Sequence, residues 1–367
     1  MLPNLRLVAC VAGLACLASA ASAAPSITAD KRVYTCTIEA NGDGSDDAPA
    51  IRDAFTECQS NARIVFQNTT YYINSPLNTT TLSNVDIDIY GYLLWSNDTS
   101  YWLDHSMPIG YQNQSTVWFL GGQNINVNGY GSGTFDGNGQ VWYDLVKGES
   151  NYPKRPMGLT IWGASDSSFK RLNFVQSQMW TMTIIHSNNV LMEDIYVNST
   201  SHSGNPARNT DGLDTLFSDN IVLRRWLVDN GDDAISLKAN STNVLLEDSV
   251  FRRGQGFALG SIGQYVGAFE TIENVTVRNV SMINTNFAVN VKTWTGDRVN
   301  YPPNGGGGGL GYLKNVTIQD LTLNRVRSFA VNVGQCTSYS GGSPDCNSSL
   351  FHIGNITFDN ITGDIAE

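Results

Sequence analysis

Short β-branched runs, each introduced by a small polar residue, recur along most of this chain. They read "SNVDIDIYG" from Ser83, "QNINVNGYG" from Gln123, "NNVLMEDIYV" from Asn188, "DNIVLRRWLV" from Asp219, "TNVLLEDSVF" from Thr242, "ENVTVRNVSM" from Glu273, "KNVTIQDLTL" from Lys314 and "GNITFDNITG" from Gly354. The asparagine ahead of the run falls at 189, 220, 243, 274, 315 and 355, in steps of 31, 23, 31, 41 and 40 residues. Repeats of this size built on strand-like runs mark a solenoid or a propeller. Propeller blades usually carry Trp-Asp or Gly-rich signatures, which are missing. Unequal steps suit a parallel β-helix, where loops of varied length leave between constant strands. Asparagine ahead of each run suits a tight corner, because it tolerates left-handed φ. Stacked asparagines can also hydrogen-bond from coil to coil. The expected fold class is all-β, a single-domain parallel β-helix. One helical pattern stands out, "DDAPAIRDAFTECQSN" from Asp46 to Asn61. Asp46 can cap its start, and Ala50, Ile51, Ala54, Phe55 and Cys58 share a face. Such a helix would cover the open end of the solenoid, whose edge would otherwise recruit other strands.

Composition points to export. The chain has 367 residues, with 41% apolar and only 15% charged. Elongated all-β architectures reach this length as one unit. Arg6 precedes the apolar run Leu7 to Leu17, and "SAASAAP" offers small residues at a cleavage site. This reads as a signal peptide over residues 1–23, followed by the β-helix domain over 24–367. No later apolar run reaches the roughly 18 residues of a membrane span. Four cysteines remain after the signal: Cys36, Cys58, Cys336 and Cys346. Three pairings are open, and the sequence-local one staples a loop near each end. Without a C-x-x-C spacing, a zinc site is not expected. Twelve sequons, at Asn68, Asn78, Asn97, Asn113, Asn198, Asn240, Asn274, Asn279, Asn315, Asn347, Asn355 and Asn360, argue for a secreted, extracellular glycoprotein. The net charge of -11 makes nucleic acid an improbable partner. "NGGGGGLG" from Asn304 lacks the Lys-Ser/Thr of a phosphate cradle.

The stretch from Arg208 to Lys238 is dense in carboxylates: Asp211, Asp214, Asp219, Asp229, Asp232 and Asp233. Asp211 and Asp232 are 21 residues apart, about one coil, and so fall on neighbouring rungs. Adjacent residues in a regular strand point to opposite faces. Asp232 and Asp233 can both face a cleft only at a strand end or bulge, which Gly231 permits. Clustered carboxylates suit glycoside hydrolysis, which needs one protonated acid and one ionised base. Crowded like charges raise one pKa and leave another low.

"NTDGLD", "GDDAIS", "GQGFALGSIG" and "VNVKTW" occur in the order of the four motifs of glycoside hydrolase family 28, the pectin-degrading polygalacturonases. "FDGNGQVWYD" and "NGDGSDDAPAI" resemble two further segments of that family. The resemblance covers nearly the whole mature chain. It implies a right-handed parallel β-helix and an inverting hydrolase, with Asp232 as general acid and Asp211 and Asp233 activating water. Inversion in turn leads one to expect acid and base carboxyls roughly 6.5–9.5 Å apart. No cofactor and no metal are implied. The implied partner is a pectic polysaccharide or oligosaccharide, met by a monomer without membrane or nucleic acid.

Two departures bear on the substrate. Where the family has "GHG", this chain reads Gly254-Gln255-Gly256, and where it has "RIK", Asn290-Val291-Lys292. Asn cannot replace the bidentate charge of Arg. "GSIGQY" from Gly260 resembles the fungal exo-acting branch, exopolygalacturonases and exo-rhamnogalacturonan hydrolases. The expected activity is release of terminal galacturonate. The alternative is an exo-rhamnogalacturonan hydrolase or α-L-rhamnosidase, in which a neutral rhamnose at Asn290 would explain the lost Arg. A calcium-dependent lyase and an inactive carbohydrate-binding β-helix are less favoured, because motif order and all three carboxylates are kept. Lys292, Gln255, Asn290, Arg208 and Lys238 are the expected substrate-binding residues. Trp180, Trp294 and Tyr265 are candidates for stacking on sugar rings, and His186 and His202 are expected to be structural.

Overall fold

The structure, a computed structural model, describes residues 34–297, 306–337 and 345–366. The expected signal peptide lies outside the described residues. The fold is a right-handed parallel β-helix; the repeats predict the parallel β-helix, and the family resemblance implies its hand. Its core is built by register. Ile64, Ile87, Val127, Phe169, Met192, Leu223, Leu246, Val277 and Ile318 are partners in turn along parallel ladders. All nine are buried. Alternate residues of each run thus stack inward, each coil capping the apolar surface of the last.

The corners are made by the residues that mark the repeat. Asn189, Asn220, Asn243, Asn274, Asn315 and Asn355 all have φ between 52° and 57°. Their amides climb from coil to coil. Asn220 donates to Asn189 at 3.2 Å, Asn274 to Asn243 at 3.0 Å, Asn315 to Asn274 at 3.2 Å and Asn355 to Asn315 at 2.6 Å. Left-handed backbone turns the chain, and the exposed ladder ties each corner to the next. Asn279 and Asn360 hold a second such row, on Asp248 and Asp320. With Asn198, which donates to Tyr196 at 3.0 Å, six of the twelve sequon asparagines already use their side-chain nitrogens inside the protein. Asn68, Asn78, Asn97, Asn113 and Asn347 stand exposed.

The predicted helix forms as Ala48–Glu57 and buries Ala48, Ile51, Ala54 and Phe55. Asp46 accepts from the Ala48 backbone at 3.1 Å, although Asp47 occupies the cap position. Two further helices, Thr99–His105 and Gly139–Val146, were not apparent in the pattern. With seven and eight residues they are too short to show a period; each is anchored by one buried tryptophan, Trp102 and Trp142. Both local disulfides form, Cys36–Cys58 with Cα atoms 6.1 Å apart and Cys336–Cys346 at 4.6 Å. Among the described residues no helix is long and apolar enough to cross a membrane.

One sheet carries the site. Its strands Pro156–Trp162, Met182–Ile185, Leu213–Leu216, Asp233–Leu237, Gly256–Ile262, Phe287–Trp294 and Phe329–Thr337 pair in that order, all parallel.

Candidate active site

All eight expected catalytic and binding residues line one cleft of ≈ 350 Å³ on that outer face: Asp211, Asp232, Asp233, Lys292, Gln255, Asn290, Arg208 and Lys238. Leu213 pairs with Ile235, so the rung neighbour of Asp211 is Asp233, one residue beyond the expected Asp232. The bond from Gly212 N–H to the Asp233 carbonyl, 3.0 Å, fixes this register. Asp232 lies just before the strand, and the ladder is irregular between Asp233 and Ile235. That irregularity lets adjacent carboxylates share the cleft. Gly231 is required for a different reason from the one expected: its φ is not positive, but a Cβ there would sit 2.0 Å from the Ala207 carbonyl.

Asp211, Asp232 and Asp233 bring oxygens within 4.8 Å of one another. Two of the residues are chain neighbours and the third is one rung away, which brings single oxygens this close. The gap still holds a water, since two hydrogen bonds of about 2.8 Å at a tetrahedral angle span about 4.6 Å. A divalent cation could bridge such a cluster, but the Lys292 ammonium already takes that place on Asp233, at 2.6 Å.

A fourth carboxylate, Asp214, completes the group. It is fully buried and lies 3.0 Å from Lys238. Burial raises its carboxyl to about 7, even with Lys238 opposing. Asp211 is pushed well above the carboxylate range by burial first, then by Asp214, Asp232 and Asp233. Asp232 is raised by burial and by Asp233, and held back by Lys292 and two backbone N–H bonds, from Asn209 and Asp233 at 3.0 Å each. One oxygen each on Asp211, Asp214 and Asp233 is buried without a hydrogen bond, the other Asp214 oxygen facing the Lys238 ammonium. The sequence offered a signal for Asp214, its place in "NTDGLD", but nothing in the spacing distinguished it from a surface residue. Burial alone would lower the pKa of Lys238, but Asp214, Asp211 and Asp233 outweigh it. Its ammonium also sits 4.7 Å over the Trp180 ring. Trp180 lines the cleft, whereas Tyr265 lies beyond it.

The two substituted positions present fixed amides. Gln255 Oε1 accepts from Asn286 at 2.9 Å, and Asn290 Oδ1 accepts from Asn332 at 2.9 Å. Each carbonyl end thus has a partner, and each N–H₂ end can serve as a donor to a ligand. Arg208 is exposed at the mouth with no ion pair among the described residues. The hairpin 107–116 reaches the cleft through Gln112. Gln112 donates to Gln264 at 3.0 Å, and Gln264 to Tyr111 at 2.7 Å, which ties the hairpin to the loop after Gly256–Ile262. Nothing in the spacing of "GYQNQ" announced that latch.

Residues 73–367 match the sequence profile described as "Glycosyl hydrolases family 28". The chain is 52% identical over 329 residues to an alpha-L-rhamnosidase, rgxB, of Aspergillus niger, covering 89% of this chain and 77% of that one. It is 39% identical to a probable exopolygalacturonase X of Neosartorya fischeri, covering 83% and 70%. Among solved structures it resembles the endo-xylogalacturonan hydrolase from Aspergillus tubingensis, with TM-score 0.78 and 27% identity, over 91% of this chain and 85% of that one.

Proposed function

The chain belongs to glycosyl hydrolase family 28, and from that premise we propose that it is a secreted, exo-acting, inverting pectin hydrolase whose cleft takes a neutral terminal sugar, rhamnose, at the end of a rhamnogalacturonan chain. Hydrolysis of a pectic substrate follows from the family; the rest is our reading. The carrying observation is the pair of amides. Gln255 and Asn290 offer neutral N–H donors, each oriented by a partner on its carbonyl. Neutral donors suit sugar hydroxyls, whereas a uronate would call for a cation. The nearby ammoniums are already matched, Lys292 with Asp233 and Lys238 with Asp214. The 52% identity to an alpha-L-rhamnosidase supports the same reading. We read the Gln112–Gln264 latch as closing one end of the cleft, which supports attack at chain ends, since an uncut polymer needs a cleft open at both.

In this mechanism Asp232, the most exposed of the three central carboxyls, gives its proton to the glycosidic oxygen as the bond to the anomeric carbon breaks. A water between Asp211 and Asp233 attacks that carbon from the opposite face and leaves its proton on the pair. Lys292 supplies counter-charge at Asp233. Arg208, at the mouth, pairs with the uronate of the next residue along an alternating chain.

A second reading, release of terminal galacturonate, is favoured by Arg208, whose exposed guanidinium could hold the terminal carboxylate, and by the 39% identity to a probable exopolygalacturonase X. Side-by-side rates on rhamnogalacturonan and oligogalacturonate fragments separate the two. Faster release of rhamnose supports our reading, and faster release of galacturonate replaces it.

A further inference from the structure

Arg155 lies behind the carboxylates, 1% exposed, and the reaction described above makes no use of it. Burying a guanidinium is costly unless its donors are matched. Its Nε donates to the Gln178 carbonyl, and one Nη donates to the Arg208 carbonyl at 2.9 Å. The Arg208 carbonyl belongs to the same peptide group as the Asn209 N–H, and that N–H donates to Asp232 Oδ2 at 3.0 Å. One peptide group thus has a cation on its oxygen and the proposed acid on its nitrogen. A positive charge at a peptide oxygen draws electron density from the N–H and makes it a stronger donor, as chains of hydrogen bonds polarise one another. The turn is held from its other side as well, by Asn151 N–H donating to the Asn209 side chain at 2.9 Å.

We propose that Arg155 is a positioning residue for the general acid, acting through the Arg208–Asn209 peptide. It holds that peptide in place and strengthens its N–H bond to Asp232. The proposal rests on Asp232 being the acid. The groups facing Asp232 are Asp211, Asp233, Lys292 and the two N–H donors, and those facing the guanidinium are Tyr143, Asp232 and Asp211. Losing the cation removes charge that favours the ionised carboxyl. Asp232 then holds its proton to higher pH, is a weaker acid, and is less well aimed at the leaving oxygen.

The test compares Arg155→Met and Arg155→Lys with wild type in the full chain. Two substrates are used across a pH series: an aryl glycoside of the released sugar, whose leaving group needs little protonation, and the natural oligosaccharide, whose leaving group needs it. On the oligosaccharide kcat should fall about tenfold or more, part of the roughly 10²–10⁴ that general acid catalysis contributes. The aryl glycoside should be much less affected, KM should change little, and the alkaline limb of the profile should move to higher pH. Arg155→Lys keeps a cation but cannot serve both carbonyls, so it should fall between; if the Met variant does not fold, the Lys variant decides by the same comparison. An equal fall on both substrates with an unmoved profile would mean a purely structural arginine and overturn the proposal. Asp232→Asn, run alongside, separates the two claims. If it keeps activity on the oligosaccharide, the acid assignment itself has failed.

Discussion

Two clusters of carboxylates and cations sit on this solenoid, both built by stacking charged residues on successive rungs. On the outside, Glu193 and Glu247 are bound by Arg224, Arg225 and Arg278, with contacts of 2.5–3.3 Å. In the cleft, Asp211, Asp214, Asp232 and Asp233 face Lys238 and Lys292. The outer cluster has partly exposed arginines, of which Arg224 and Arg225 each reach two carboxylates at once. Burial would raise Glu247, but Arg224 and Arg278 more than reverse it and hold the carboxyl low. The cleft cluster has lysines, fewer donors than acceptors, and carboxylate oxygens left without a hydrogen bond. There burial and like charge win, and Asp211, Asp214 and Asp232 are all raised. Identical stacking thus produces a fastening in one place and a proton reservoir in the other. The difference lies in depth and in how completely each oxygen is matched.

Removing one carboxylate from each cluster should give opposite phenotypes. Asp232→Asn should cut turnover on an unactivated oligosaccharide by about 10²–10⁴-fold and leave the fold intact. Glu247→Gln should leave kcat unchanged and lower Tm. Steady-state kinetics and thermal melts on the two variants check this, and the contrast fails if Glu247→Gln is the one that loses turnover.

Importing the outer cluster's chemistry into the cleft should change which sugar is accepted. Gln255→His with Asn290→Arg supplies a charged fork at the subsite. A hydrogen bond to a charged group contributes roughly 1.5–3 kcal/mol, so kcat/KM on oligogalacturonate should rise about ten- to a hundredfold. Activity on rhamnogalacturonan fragments should not rise with it.

The smallest effect expected is on stability against pH. Asp214 is raised from 3.8 to about 7, so its contribution is full at low pH and is lost as pH climbs through that window. Asp211 acts in the same direction. Glu247 and Asp194 are lowered, so theirs is present above the unfolded value and lost as pH falls. Stability should therefore peak in mild acid. Between about pH 5 and pH 7, Asp214→Asn should lose less Tm than wild type, by about 1–3 °C. An identical slope in the two proteins would remove Asp214 from the proton reservoir.

The repeat was legible because a corner needs left-handed backbone, and asparagine at 189, 220, 243, 274, 315 and 355 supplies it at every step. The carboxylates were legible because rung stacking converts sequence spacing into proximity. What spacing does not encode is which neighbour a buried group meets. Asp214 differs from Asp219 only in depth, and Arg155 reaches Asp232 through a peptide 53 residues away in sequence. The Gln112–Gln264 latch spans 152 residues between two loops without a periodic signal.

The central claim is that the cleft cluster hydrolyses the terminal bond of a rhamnogalacturonan chain with inversion. Proton NMR during digestion of a rhamnogalacturonan oligosaccharide, read before the product anomers equilibrate, reports the sugar and its configuration together. The account predicts free rhamnose whose first anomer is opposite to that of the bond cleaved. A retained anomer, an unsaturated uronate, or galacturonate released from the chain end instead would contradict it.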